Sequence, residues 1–134
     1  MDRFFAACVA LILVSASSGC SVQDDAQVYR ELDGVWEGTY TSTTDVGTNG
    51  LECTDGSIKS KMTDGILEGS ATNTYGDSYA VSGRAIDSKS MEGRFELSGV
   101  TVGKIQGSLS NGRMDGTFVD AEDCRGNWVV YRVE

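Results

Sequence analysis

From Gly34 onward, apolar and polar positions alternate with a period of two, the spacing of a half-buried β-strand. One short pattern, apolar–any–glycine–any–apolar, recurs six times along this stretch. The copies are Trp36-Glu37-Gly38-Thr39-Tyr40, Leu67-Glu68-Gly69-Ser70-Ala71 and Val81-Ser82-Gly83-Arg84-Ala85, followed by Met91-Glu92-Gly93-Arg94-Phe95, Ile105-Gln106-Gly107-Ser108-Leu109 and Met114-Asp115-Gly116-Thr117-Phe118. A further segment carries Gly126, Trp128, Val130 and Arg132 on one parity, and a weaker one over Ser57–Thr63 turns Ile58 and Met62 inward. Each copy sets two apolar residues and a glycine on one face. The other face takes Glu37, Glu68, Arg84, Glu92, Arg94, Glu96, Gln106 and Asp115. Turn residues punctuate the series at Asp64-Gly65, Gly76-Asp77, Asp87-Ser88, Gly99 and Asn111-Gly112. The pattern therefore predicts an all-β fold of eight strands. No helix is long enough for a parallel crossover, so the strands form an antiparallel meander. A meander with one apolar face rolls into an up-and-down barrel, which removes both sheet edges.

The first 33 residues read differently. Residues 1–19 have a short polar start, an apolar run from Phe4 to Val14 and a small-residue stretch Ser15–Gly19, the three parts of a secretory signal peptide. An eleven-residue apolar helix reaches only about 16 Å, short of the roughly 30 Å needed to span a bilayer core. Residues 20–33 form a tether, with a turn of helix expected over Val28–Leu32 capped by Asp25, and the barrel domain occupies 34–134. The small residues ending in Gly19-Cys20 resemble the lipobox of bacterial lipoproteins, although Ser17 stands where that family usually has leucine. The resemblance implies cleavage before Cys20, transfer of a diacylglyceryl group with palmitate-type chains to its thiol, and anchoring to the cell envelope. Ser21 after the cysteine favours the outer membrane by the same resemblance. The alternative is ordinary cleavage within Ser15–Gly19 and a soluble periplasmic or secreted product.

An exported chain meets an oxidising compartment, so a disulfide is expected between the two remaining mature cysteines, Cys53 and Cys124. It would close a loop of about 70 residues, contributing about 4 kcal/mol in the chain-entropy model. Neither cysteine sits in a Cys-x-x-Cys arrangement, which argues against a redox pair. In a closed meander barrel the first and last strands are antiparallel neighbours. Cys53 precedes the second strand and Cys124 the eighth, so both fall at one rim, and their bond would staple the closure.

Gly34-Val35-Trp36 opening the first strand, with Arg132 near the end of the last, resembles the calycin barrels (lipocalins and avidins). The resemblance implies that Arg132 packs across Trp36 at the closed end. Gly65-Ile66-Leu67-Glu68-Gly69 followed by Tyr79-Ala80-Val81-Ser82-Gly83-Arg84 is similar to the avidin strand pattern, but tryptophans matching the avidin biotin site are missing apart from Trp128. Biotin binding is not carried over.

Composition removes several functions. The chain has no histidine, which eliminates the usual nucleophile triads and their main general base. The strand carboxylates fall on the solvated parity, so no enzyme is expected, and no cofactor or metal ion is implied. Asp120, Glu122 and Asp123 lack the spacing of a calcium loop. A net charge of −9 argues against nucleic acid. Glycine, at 17 of 134 residues, is nearly twice its usual share of about 7%. The inward glycines have two readings: they let the sheet roll tightly round a filled core, or they open a cavity. On the second, Trp36, Tyr40, Phe95, Phe118 and Trp128 line a mouth for a small apolar or amphipathic ligand. The competing expectation is an interaction or inhibitor module that meets an envelope protein through Thr41–Thr54 and Asp120–Cys124. An inverted barrel with its apolar face toward lipid is disfavoured by short strands and missing aromatic girdles.

Overall fold

The structure is a computed structural model that describes residues 30–133. Its eight strands are β1 (Gly34–Ser42), β2 (Gly56–Thr63), β3 (Ile66–Asn73), β4 (Ser78–Ala85), β5 (Ser90–Leu97), β6 (Val100–Ser110), β7 (Arg113–Asp120) and β8 (Arg125–Arg132). They form a closed barrel in chain order, every neighbouring pair antiparallel. β1 meets β8 from Trp36↔Arg132 to Ser42↔Gly126. Arg30 and Glu31 are helical and Leu32 is a turn residue before β1, while Val28, Tyr29, the signal peptide and Cys20 lie outside the described residues.

The six glycine-centred patterns fall in β1, β3, β4, β5, β6 and β7, and their apolar residues point inward. The apolar parity thus faces the interior, which removes the inverted arrangement. Tight turns at Asp64-Gly65 and Ser98-Gly99 hold both residues at positive φ (51° and 79°; 52° and 81°), the twist that suits two-residue hairpins. A register shift between Phe95 and Glu96 lets Val102 bulge in β6, opposite the upper part of β5.

The glycines settle how tightly the sheet rolls. A Cβ at Gly38 would lie 1.8 Å from the Val129 carbonyl oxygen, and one at Gly116 would lie 1.9 Å from that of Gln106. Any side chain there would hold the adjacent strands apart. Trp128 covers Gly107, where an added Cβ would meet its ring at 2.4 Å, and its indole N–H points to the Gln106 and Thr117 carbonyls. The recurring glycines therefore serve close strand approach, and none of them lines the cavity at the open end.

The interior is filled through its middle and closed end. Trp36, Met62, Met91 and Met114 are fully buried at the closed end with Leu67 and Leu109. Ile58, Val81, Ile105, Trp128 and Val130 fill the middle, leaving a void of about 10 Å³, room for one water at most. Trp36 donates its indole N–H to the Leu32 carbonyl at 2.9 Å, and the Arg132 guanidinium lies 5.7 Å from the Trp36 ring centroid. That guanidinium also donates to the Glu31 and Asp33 carbonyls. The segment before β1 is thereby tied across the closed end. Among the described residues, no buried side-chain nitrogen or oxygen lacks a hydrogen-bond partner.

Candidate functional site

The open end is built from the C-terminal ends of β1, β3, β5 and β7 and the N-terminal ends of β2, β4, β6 and β8. Three rings meet there. Tyr40 and Phe118 stand edge to face at 5.5 Å, Phe95 and Phe118 at 6.1 Å, and Tyr40 and Phe95 lie tilted at 6.3 Å. Each ring has a glycine directly opposite it on the next strand: Tyr40↔Gly56, Phe95↔Gly103 and Phe118↔Gly126. Each ring lies against its glycine, where an added Cβ would meet ring carbons at 2.5 to 3.0 Å. A side chain on any of these glycines would push its ring into the interior. The glycines thus hold the rings against the wall and leave room between them.

That room is a cavity of about 210 Å³ open to solvent. Tyr40, Phe95 and Phe118 share its wall with Tyr79, Leu97, Val102 and Ala71, while Thr54, Asp120, Ala121, Glu122 and Cys124 form the rim side. Of the five aromatic residues predicted from sequence to line a mouth, the structure brings Tyr40, Phe95 and Phe118 together. Trp36 lies at the far end under Arg132, and Trp128 lies in the filled middle. Sequence reasoning missed Tyr79, Leu97 and Val102. Tyr79 precedes the recurring pattern by two residues on its inward parity, a usable signal. Val102 faces the cavity because of the bulge, which has no simple sequence mark.

The long β1–β2 connection is not a free loop. Cys53 and Cys124 are disulfide-bonded with their Cα atoms 5.6 Å apart, joining this connection to the one between β7 and β8. Thr48 donates its backbone N–H to the Glu122 carbonyl and its hydroxyl to the Glu122 carboxylate, at 2.8 and 2.9 Å. Thr43 donates to the Arg125 carbonyl at 2.8 Å, and the Ser42 hydroxyl donates to the Thr54 carbonyl. Within the shorter connection, Asp120 Oδ1 accepts the backbone N–H groups of Glu122 and Cys124, each at 2.9 Å. This carboxylate shapes the turn while facing the cavity. Among the described residues, no group of three or more His, Cys, Asp or Glu is placed to hold a metal ion.

The mouth has a negative electrostatic surround. Burial pushes the Tyr40 phenol above its ordinary value, the Thr54 hydrogen bond opposes this, and Tyr79, Asp55 and Asp120 push it further up. Burial likewise raises Tyr79, aided by Asp77 and Asp120 and opposed by its hydrogen bond with Asn73. Both groups stay neutral beyond the usual range because the site disfavours added negative charge. Comparison with protein-family models and with curated proteins finds no match for the chain.

Proposed function

We propose that this protein is a non-enzymatic binding module that takes a small apolar or amphipathic molecule into the open mouth of its barrel, held in the cell envelope by a lipid on Cys20. The observation that carries the reading is the 210 Å³ cavity with four aromatic rings in its wall. Its lining is largely apolar with a few polar groups at one side, the usual make-up of a small-molecule site. Its volume falls below the roughly 300 Å³ at which drug-sized pockets begin, which suits a small ligand or one end of a longer one. The absence of histidine and the outward placement of Glu37, Glu68, Glu92, Glu96 and Asp115 support a role without catalysis.

Native mass spectrometry of the chain recovered from the producing cell tests this directly. A bound mass lost on denaturation, and diminished in Phe118→Ala, is the expected result. A bound mass unaffected by that change would place the ligand elsewhere. The same spectra test the anchor, since acylation adds mass to the peptide beginning at Cys20. A second reading, a protein partner engaged by the open-end loops, draws support from Leu51 and Tyr75, each 67% exposed, and Val100 at 64%. Crosslinking in the native envelope would favour it by giving a stoichiometric partner through residues 43–55.

A further inference from the structure

The charge distribution around the mouth narrows the ligand class, an inference that rests on the mouth being the binding site. Connections 43–55, 74–77, 98–99 and 121–124 surround the open end. They carry Asp45, Glu52, Asp55, Asp77, Glu122 and Asp123 and no lysine or arginine. Asp120, the last residue of β7, adds a carboxylate at the cavity wall. The nearest basic residue along the chain is Arg125 at the start of β8, and its guanidinium is engaged by Asp123 at 2.8 Å. At the closed end, connections 64–65, 86–89 and 111–112 carry only Asp64 and Asp87 against Lys89, and Arg113 and Arg132 flank them.

Three features act in one direction. Aromatic faces attract cations and are indifferent or unfavourable to anions. Asp120 and Glu122 touch the cavity, and Asp55 and Asp77 lie close enough to act on its tyrosines. An anionic head group at this rim would meet like charge with no basic side chain lining the cavity. A neutral molecule would gain only the burial of its apolar part. The small volume leaves the head group outside, at the level of the carboxylates.

We propose that the mouth takes a small amphipathic organic cation, its alkyl or aryl end among Tyr40, Phe95 and Phe118 and its ammonium head beside Asp120 and Glu122. The test is an NMR titration of the full chain with hexyltrimethylammonium, 1-hexanol and hexanesulfonate, which share one tail and differ in head charge. The ammonium is expected to move the resonances of Tyr40, Ala71, Phe95 and Phe118 with an affinity about ten-fold above that of hexanol, and hexanesulfonate to bind weakest. Added salt should shrink the ratio, because the rim is solvent-exposed. The Asp120→Asn, Glu122→Gln double variant keeps the oxygens that accept the Glu122 and Cys124 amides and the Thr48 hydroxyl, and its ratio of ammonium to hexanol affinity should fall close to one. If hexanol or hexanesulfonate binds as tightly as the ammonium at these residues, the cation assignment is overturned and the mouth stands as the site. If no probe moves them, the mouth itself is overturned as the site, and the cation assignment with it.

Discussion

The two ends of the barrel are made from the same eight strands and the same alternation, yet one is sealed and the other open. At the closed end the inward positions hold Trp36 and three methionines, all fully buried, and Arg132 bridges the Trp36 ring to the backbone of the preceding segment. At the open end the inward positions pair an aromatic ring with a glycine, so each ring takes its partner's space and the centre stays empty. Glycines face large side chains at the closed end too, at Met62↔Gly34, Leu67↔Gly83 and Met91↔Gly107. What separates the ends is therefore the filling of the centre: Trp36 and the methionines are fully buried, whereas the three rings border a cavity. Charge divides them too, with carboxylates gathered round the mouth and a nearly balanced set at the seal.

Truncating one large residue at each end gives the largest expected contrast. Trp36→Ala should cost about 3–5 kcal/mol in denaturant unfolding, the usual range for a fully packed aromatic residue. Phe118→Ala should fall at or below the lower end of that range, because its neighbours already border solvent. Equal losses would mean that the open end is as tightly packed as the closed one. Replacing Cys53 and Cys124 with serine should cost about 2–5 kcal/mol. Hydrogen exchange should place the loosening at Thr43, Thr48 and Arg125 and leave the amide of Val133, bonded to the Val35 carbonyl, protected. Equal loss of protection at both ends would show that the staple acts on the whole barrel.

The smallest expected effect is with pH. Tyr40 and Tyr79 titrate above their unfolded value near 10 because they are buried among carboxylates. Their stabilising contribution is therefore complete below about pH 10 and lost as pH rises through the higher folded values. Urea midpoints measured from pH 9 to 11 should fall, and Tyr79→Phe should flatten the decline. An unchanged slope in that variant would remove Tyr79 from the account.

Much of the fold was legible in the sequence. Alternation fixed the inward face, and turn residues counted the strands, including the weakly apolar β2, where Lys59 and Lys61 alternate with inward Ile58, Ser60 and Met62. The position of Cys53 and Cys124 before their strands already implied one rim. Parity separates inside from outside and says nothing of depth, which follows instead from a residue's place within its strand. Trp36, Trp128 and Phe118 share a parity class, yet only Phe118 reaches the cavity. The sequence could not separate glycines that only bring strands together, such as Gly38 and Gly116, from Gly56 and Gly126, which do so and also seat a ring. That distinction depends on register, and in β6 register passes through a bulge.

The closure between β1 and β8 also governs how the chain reaches this state. Seven of the eight strand pairings join consecutive strands, most of them hairpins with short connections that can form while much of the chain is still disordered. The eighth brings Trp36 beside Arg132, nearly the whole length of the barrel domain apart. Contacts of such sequence separation carry the greatest loop-closure entropy, so this seam should set the folding rate. The barrel must wait for its last strand before it can close. Until then β1 and β7 present unpaired edges, and a truncation before Arg125 would leave a sheet open to edge-to-edge association.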